Sequence, residues 1–255
     1  MVNESCRTVR HEELAGGYRY LTVEAPQMCG QLVPGQFVHV RVPGLEDSAL
    51  RRPFSVFDAD GGLVTLLYKA VGRGSRALNR VQSGETVEVL GPLGHGFPLK
   101  CRGTALLVGG GFGVAPLHFL ARRLPGPKIL FAGGRTADDL LALDRFRAIE
   151  GVTLKLATND GSVGERGLVT LPLDAAIADL RARGEEFELF TCGPDGLLKA
   201  VTERALTCGV PGWISVDRHM ICGVGACYAC IQRTVRGNSR CCIEGPVFAA
   251  KDLIW

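Results

Sequence analysis

The cysteines near the carboxyl end limit what this chain can fold into more than any other feature. Cys222, Cys227 and Cys230 are separated by four and then two residues, and the adjacent pair Cys241 and Cys242 follows. This is the thiolate spacing that holds a [2Fe-2S] cluster in plant-type ferredoxins. Such a cluster needs four thiolates from one tight loop and a second segment, and the glycines between the first two cysteines allow the loop to bend. The sequence therefore predicts a [2Fe-2S] cluster.

A structural zinc site is the main alternative to a cluster. Structural zinc sites usually combine two Cys-x-x-Cys pairs or Cys and His pairs, and here only Cys227 and Cys230 have that spacing. The fourth ligand is Cys241 or Cys242. Only one of the two can comfortably be a ligand, because neighbouring side chains of an extended backbone point in different directions. Spacing alone does not choose between these two cysteines.

Length and charge restrict the class of protein. The chain has 255 residues, of which 46% are apolar, and a formal net charge of +3. This length suits two domains or slightly more, at roughly 100–200 residues each. The small charge gives no indication of binding to nucleic acid or to an anionic membrane. Neither a signal peptide nor a run of about 18 apolar residues is present, so we expect a soluble cytoplasmic protein with reduced thiols.

Residues 1–100 have the pattern of a small antiparallel barrel. Apolar and polar residues alternate within 18–42, which is typical of half-buried strands. Further strands are predicted at 54–57, 63–70 and 86–90, separated by glycine-containing turns. About six short strands with few helices predict a barrel.

Strand and helix patterns alternate over residues 101–210. An apolar run at 105–108 ends in a glycine-rich turn, and helices are predicted at 116–124, 138–149, 173–183 and 194–208. The strands between these helices predict a parallel sheet with helices on both faces. Residues 211–255 are short and rich in cysteine, so this segment depends on the metal cluster and on the larger domains for its fold.

Four further stretches carry candidate binding residues, although each alone could be an ordinary turn or strand end. Arg52 to Ser55 begin a strand with a guanidinium that can bind a phosphate. Gly74 and Ser75 begin a helix after the strand that contains Leu67, Tyr68 and Lys69. The other two stretches end predicted sheet strands, where open α/β sheets bind their ligands, and comprise Gly109, Gly110, Gly111 and Gly113 and then Cys192, Gly193 and Pro194.

The four stretches occur in an order that resembles the order of the motifs in the ferredoxin-NADP reductase superfamily. This resemblance covers about residues 10–210. With the cysteine segment added, essentially the whole chain resembles the electron-transfer subunit of class 1B dihydroorotate dehydrogenase. In that family the fourth ligand stands three residues before the glycine of a Gly-Pro-Val-Phe stretch. That stretch begins at Gly245 here, so the resemblance selects Cys242 and leaves Cys241 as its neighbour.

The resemblance implies the cofactors and the residues that contact them. The departures from the family pattern are Phe54 where an aliphatic residue is common, Ser75 where threonine is common, and Ile243 and Glu244 where two acidic residues often follow the cysteine. The implied FAD contacts are Arg52, Pro53, Phe54, Ser55, Leu67, Tyr68, Lys69, Gly74 and Ser75. The implied NAD contacts are Gly109, Gly110, Gly111, Gly113, Cys192, Gly193 and Pro194, and the cluster ligands are Cys222, Cys227, Cys230 and Cys242.

The resemblance also implies an activity. A partner catalytic subunit that contains FMN would oxidise dihydroorotate, and this chain would pass the electrons through the cluster and FAD to NAD⁺, in pyrimidine biosynthesis. Two copies of each subunit would form a heterotetramer. Val247, Phe248 and Trp255 are candidates for the partner contact, or else pack the tail on the body. The alternatives are a related FAD and [2Fe-2S] NAD(P)H reductase subunit of a ferredoxin, hydrogenase or sulfite reductase complex, and a non-catalytic adaptor stabilised by zinc.

Overall fold

Six antiparallel strands close into a barrel in the amino-terminal part of the computed structural model, which describes residues 1–45 and 50–255. Neighbouring strands follow the order β1-β2-β5-β4-β3-β6 around the barrel. Two short helices, α1 (Pro26–Cys29) and α2 (Arg73–Leu78), lie in the connections. The strands are β1 (Val2–Glu13), β2 (Tyr18–Glu24), β3 (Phe37–Arg41), β4 (Arg52–Asp60), β5 (Leu63–Lys69) and β6 (Thr86–Leu93).

Strand β1 was missed by the sequence pattern, which predicted strands only from residue 18. Its buried positions are Glu4, Cys6 and Thr8, and two of these three side chains are polar. The alternation of apolar and polar residues is therefore hidden. The Glu4 carboxylate accepts hydrogen bonds from the backbone N–H groups of Gln27 and Met28, each at 3.2 Å, which compensates for its burial.

Strand β3 is buried on both of its faces. Val38 and Val40 pack inside the barrel core, as the period of two requires. Phe37 instead packs with apolar residues of the α/β sheet and of the cysteine segment. His39, two residues farther along the same outward face, is also fully buried. The outward face of β3 is thus the barrel surface on which the carboxyl-terminal segment rests.

A seven-stranded sheet forms the second part of the fold, in the order β10-β9-β8-β7-β11-β12-β15. Its pairs are parallel except that β15 runs antiparallel to β12. The strands are β7 (Thr104–Gly110), β8 (Lys128–Gly134), β9 (Val152–Thr158), β10 (Glu165–Arg166), β11 (Phe187–Cys192), β12 (Gly212–Ser215) and β15 (Val247–Ala249). The helices are α3 (Val114–Arg123), α4 (Leu143–Arg147), α5 (Thr170–Ala182) and α6 (Asp195–Cys208).

Both faces of this sheet are covered, as a parallel sheet requires. On β7, Ala105 and Leu107 pack in a cluster that contains several buried residues of α3. Leu106 and Val108 point to the other face and pack with residues of α5 and α6. A strand buried on both faces is a continuous apolar run, which explains why β7 was recognised from sequence.

The helix predicted over 138–149 is wrong in its first half. The structure has a short 3-10 turn at Ala137–Asp139 and only then α4, from Leu143 to Arg147. Ala142 lies between them with a left-handed backbone, at a φ of 59°. The Asp139 side chain accepts hydrogen bonds from the Tyr18 hydroxyl and from the Arg135 backbone N–H, so this residue is held outside a helix.

The carboxyl-terminal segment is joined to the sheet at both of its ends. After β12 the chain leaves the sheet, forms the cysteine loop and the hairpin of β13 (Ile231–Thr234) and β14 (Gly237–Arg240), and returns as β15. Val216 then donates a backbone hydrogen bond to Pro246 at 2.9 Å. The domain limits at residues 100 and 210 stay predictions, and strands from beyond residue 210 complete the sheet.

The predicted architecture of an antiparallel barrel, a parallel-sheet domain and a small cysteine segment is confirmed. Within residues 1–45 and 50–255, no helix combines the length and the apolar character needed to cross a bilayer.

A buried hydrogen bond between the two larger parts of the fold predicts a pH dependence of stability. Tyr18 donates to Asp139 at 3.0 Å. Burial alone would raise the pKa of Asp139, but the hydrogen bonds from Tyr18 and Arg135 outweigh it and hold that pKa below its usual value. A carboxylate with a lowered folded-state pKa stabilises the fold above its unfolded pKa of about 3.9, and this contribution is lost as the pH falls through the folded value.

Replacing Asp139 by asparagine is therefore expected to lower the free energy of unfolding by about 1–2 kcal/mol at pH 7, since hydrogen bonds to a charged group are lost. The difference between wild type and variant should shrink towards pH 3. Urea unfolding followed by circular dichroism at both pH values measures it. A difference that stays constant with pH would show that the Asp139 charge does not stabilise the domain contact.

Candidate functional site

A deep cleft of about 1360 Å³ lies where the barrel, the α/β sheet and the cysteine segment meet. Pockets for drug-sized ligands measure about 300–1,000 Å³, so this cleft has room for more than one such molecule. The structure brings together at this cleft all the residues predicted to contact FAD and NAD, except Gly109. Gly109 does not line the cleft. It packs against Val114, and a Cβ added at Gly109 would lie 2.6 Å from Val114 Cγ1.

The barrel wall of the cleft is formed by the start of β4 and the end of β5. Phe54 and Tyr68 lie side by side there, with ring centroids 5.5 Å apart at an interplanar angle of 63°. The Tyr68 hydroxyl donates to Asn79 Oδ1 at 2.7 Å and contacts His11 Nε2 at 2.9 Å. Because these contacts fix the Tyr68 ring, the wall is a rigid aromatic surface against which a planar ring system can pack.

Arg52 is held at the mouth of this wall by a glycine. A Cβ at Gly74 would lie 2.4 Å from Arg52 Nε, so any side chain at Gly74 would displace the guanidinium stem. The Ser75 hydroxyl accepts the backbone N–H groups of Val71 and Gly72, each at 3.0 Å. Ser75 therefore shapes the turn that carries Gly74. The guanidinium of Arg52 is one of the cationic groups that line the cleft, and a guanidinium can bind a phosphate.

The opposite wall is formed where β7 and β11 end side by side. A Cβ at Gly113 would lie 2.3 Å from the Cys192 carbonyl oxygen, and one at Gly110 would lie 2.9 Å from Pro194 Cδ. The two strand ends therefore approach this closely only with glycine at both positions. Burial raises the pKa of the Cys192 thiol to about 12, so this cysteine stays protonated and is not a nucleophile.

Several cleft residues were missed by the sequence analysis. Phe37, Met220 and Pro246 line the cleft between the barrel and the cysteine segment. They come from three distant parts of the chain and share no motif, so no local signal could have found them. Arg135 and Asn159 also line the cleft, each directly after a sheet strand, and the rule that ligands bind at the carboxyl ends of parallel strands could have indicated both.

The four predicted cluster ligands interact as two pairs. Cys222 interacts with the thiol and the backbone N–H of Cys227. Burial raises the pKa of Cys242 and its neighbour Cys230 raises it further, whereas the Gly225 backbone N–H of the loop lowers it. In a [2Fe-2S] cluster each iron takes two protein ligands, so two pairs of thiols around one loop fit the cluster.

The loop is also arranged to stabilise a thiolate. Val224 donates its backbone N–H to Cys222 Sγ at 3.5 Å. Burial alone would raise the pKa of Cys222. Hydrogen bonds from the amide N–H groups of Val224, Cys227 and Ala226 outweigh burial, and the pKa is lowered to about 6. Among the described residues, no three His, Cys, Asp or Glu side chains converge as they would around a single metal ion.

Cys241 differs from Cys242 in what its side chain meets. Both thiols are buried in the apolar cluster that contains Phe248, and burial raises the pKa of each to about 12, so neither property separates them. The Cys241 backbone N–H donates to the Cys230 carbonyl at 2.8 Å. The pKa of the Cys242 thiol, by contrast, is also shifted by its interactions with the Cys230 thiol and with the Gly225 amide of the loop. The contacts with the loop thus support Cys242 as the fourth ligand.

Of the two roles given for Val247, Phe248 and Trp255, burial favours packing of the tail for the first two, whereas Trp255 is 37% exposed. On the loop itself, Val224 and Tyr228 are 41% and 63% exposed and flank the exposed Cys227. The apolar surface nearest the candidate cluster is therefore the loop.

Comparison with known families agrees with this geometry. Residues 217–254 match a family model described as the iron-sulfur cluster binding domain of dihydroorotate dehydrogenase B. Residues 5–97 match a model described as an oxidoreductase FAD-binding domain.

Individual relatives are similar over the whole chain. The dihydroorotate dehydrogenase B (NAD(+)) electron transfer subunit of Lysinibacillus sphaericus is 37% identical over 257 residues, covering 96% of each chain. The subunit of the same name from Bacillus caldolyticus is 38% identical and covers 100% of each chain.

Solved structures show the same fold. A chain of NADH-dependent reduced ferredoxin-NADP oxidoreductase, studied for flavin-based electron bifurcation, superimposes with a TM-score of 0.86 at 30% identity, covering 99% of this chain and 90% of that one. The ferredoxin reductase of carbazole 1,9a-dioxygenase shares the fold at a TM-score of 0.65 and 22% identity, over 82% of this chain and 66% of that one. The resemblance indicated by the sequence is confirmed, and the chain belongs to the family of dihydroorotate dehydrogenase B (NAD(+)) electron transfer subunits.

Proposed function

We propose that this chain carries electrons from a partner dihydroorotate dehydrogenase subunit, through a [2Fe-2S] cluster and FAD, to NAD⁺ in pyrimidine biosynthesis. The observation that carries the proposal is a single cleft whose walls are the flavin-type barrel stretches and the glycine-rich strand ends, with Met220 and Pro246 of the cysteine segment in the same lining. The relatives in which these parts recur are named electron transfer subunits.

Each wall of the cleft has a separate task in this proposal. FAD, when bound, supplies the chemistry that joins one-electron and two-electron transfer. Tyr68 and Phe54 orient its ring, and Arg52 binds its phosphates. Gly110 and Gly113 let the two strand ends of the opposite wall approach each other, and the nicotinamide dinucleotide binds at this wall, beside Cys192.

Packed side chains line the end of the cleft that lies nearest the cysteine segment. Phe37 is 3% exposed and Met220 is 9% exposed, so both side chains are packed. Pro246, in the lining beside them, accepts the Val216 N–H through its carbonyl and thereby ties the segment to the sheet. These three residues hold the cysteine segment against the cleft, which keeps the transfer distance short.

The partner is the subunit that oxidises dihydroorotate with its own FMN, and two copies of each chain form the heterotetramer. The exposed Val224, Tyr228 and Cys227 put the loop at the surface where a partner can approach the cluster. We place the complex in the cytoplasm, where the thiolate ligands stay reduced before the cluster is assembled.

The test is reconstitution with the partner subunit. Protein purified without oxygen should contain one FAD, two irons and two acid-labile sulfides per chain, by analogy with the cluster type. Mixed with the FMN-containing partner, it should form NADH when dihydroorotate is added, and neither chain alone should do so at a comparable rate. Absence of NADH formation from a fully loaded mixture would contradict the proposed partner.

A second candidate, a reductase subunit that exchanges electrons with ferredoxin, is favoured by one observation. The chain of NADH-dependent reduced ferredoxin-NADP oxidoreductase superimposes with a TM-score of 0.86. The same loaded protein distinguishes the two functions. NADH formation from reduced ferredoxin, without any response to dihydroorotate and its partner, would favour the second.

A further inference from the structure

His39 is a buried polar side chain that the electron-transfer scheme does not yet use. It lies on β3 and is 0% exposed, and neither Nδ1 nor Nε2 has a hydrogen-bond partner in the part of the chain that the structure describes. Nearly all buried polar side chains are hydrogen-bonded, so an imidazole with two unpaired nitrogens points to a partner outside the polypeptide.

The ring lies against the cysteine loop. A Cβ at Gly223 would lie 2.7 Å from His39 Cε1, 2.9 Å from Nε2 and 3.0 Å from Nδ1. The His39 ring thus fills the place that a side chain at Gly223 would take, directly beside Cys222. Gly223 also has a φ of 70°, which favours glycine for a second reason. The glycine that lets the loop bend is the same residue that lets the imidazole reach the loop.

The other neighbours of His39 leave its nitrogens without a partner. Its cross-strand partners on the barrel are Pro53 and Leu90, and neither has a polar side chain. Phe37 packs its ring at a centroid distance of 5.6 Å. Burial lowers the pKa of His39 to about 4, with a smaller contribution from the Arg51 guanidinium. The ring is therefore neutral at physiological pH and has one N–H to donate.

We propose that His39 donates this N–H to a sulfur of the [2Fe-2S] cluster, either the Cys222 thiolate or the inorganic sulfide next to it. The inference rests on the proposed cluster. Hydrogen bonds to the sulfurs stabilise the reduced, more negative cluster, so His39 raises its reduction potential. Because Pro53 is opposite His39 on β4, the donor belongs to the same strand pair that carries the flavin contacts.

The test compares His39→Leu and His39→Gln with wild type. Leucine fills a similar volume without a donor, whereas glutamine keeps a donor. His118→Leu is the matched control, because His118 is the other buried histidine of the described chain and stacks on Phe57 with ring centroids 4.0 Å apart, in a different apolar cluster from the cysteines. Iron and sulfide are determined first in every sample, then the cluster potential by redox titration followed by electron paramagnetic resonance.

We expect the cluster of His39→Leu to have a more negative midpoint potential than wild type, His39→Gln to lie between them, and His118→Leu to match wild type. Pulsed resonance of the reduced wild-type cluster, in protein labelled with ¹⁵N-histidine, should show a weak nitrogen coupling that His39→Gln abolishes. This measurement tests the hydrogen bond from His39 to the cluster even where His39→Leu fails to fold or to bind iron.

Two results would overturn the inference. One is an unchanged potential in a fully loaded His39→Leu protein, and the other is the absence of histidine nitrogen coupling in wild type. Wild-type protein without iron and sulfide would be a different failure, since it would remove the proposed cluster and function together with the role of His39.

Discussion

Replacing Cys242 by serine is expected to abolish the [2Fe-2S] cluster and with it NADH formation with the partner, whereas replacing Cys241 by serine should keep both. Cys242 interacts with the Cys230 thiol and with the Gly225 amide of the loop. Removal of the Cys242 thiolate leaves one iron with a single protein ligand. We expect a loss of dihydroorotate-dependent activity of about a hundredfold, the upper end of the losses caused by changes around metal ligands.

The Cys241 variant is a close control because it changes the same atom in the next residue. Cys241 is fully buried in an apolar cluster, so a serine hydroxyl there is expected to lower stability by about 1–3 kcal/mol without removing a ligand. Iron, sulfide and the visible spectrum are measured on both proteins purified without oxygen. If the Cys241→Ser protein were the one that lost iron, the assignment of the fourth ligand would be reversed.

Replacing Arg52 by alanine is expected to weaken FAD binding by roughly 10- to 100-fold, because charge-assisted hydrogen bonds to a phosphate contribute about 1.5–3 kcal/mol. Arg52 lines the cleft, and its side chain packs against Gly74. A Cβ added at Gly74 would lie 2.4 Å from the Arg52 Nε atom. The adjacent Arg51 is the matched control. Its guanidinium contacts Glu88 Oε2 at 3.2 Å and the Glu88 carbonyl at 3.3 Å.

Titration of the two FAD-depleted variants with FAD, followed by flavin fluorescence, measures the difference. Arg51→Ala should bind FAD within a few-fold of wild type, since a partly exposed ion pair contributes about 0–1 kcal/mol. Equal weakening in both variants would show that Arg52 acts only through the local backbone. An unchanged FAD affinity in the Arg52→Ala variant would show that Arg52 does not bind the phosphates of FAD.

The parts of this protein that could be predicted from sequence are those set by local constraints. The spacing of Cys222, Cys227 and Cys230 follows from the size of a cluster held in one loop, and the glycines at 110 and 113 follow from the close approach of two strand ends. The buried strand β7 is recognisable because both of its faces are apolar. Each of these signals lies within a few residues.

The parts that could not be predicted depend on contacts distant in sequence. Strand β1 has Glu4 and Thr8 at buried positions, and Glu4 is compensated by amides of α1. The helix expected over 138–149 is interrupted because Asp139 is bonded to Tyr18 of the barrel. The burial of Phe248 follows from the pairing of β15 with β12, which no local pattern indicates.

That pairing makes the cluster-bearing segment an insertion between two neighbouring strands. Ser215 of β12 and Val247 of β15 are directly paired, although the whole cysteine loop and the β13–β14 hairpin lie between them in sequence. Both ends of the excursion are thus fixed by the sheet. Because bringing the ends of a long loop together has an entropic cost, the pairing of β12 with β15 meets that cost, and cluster binding has to order only the residues between the two ends.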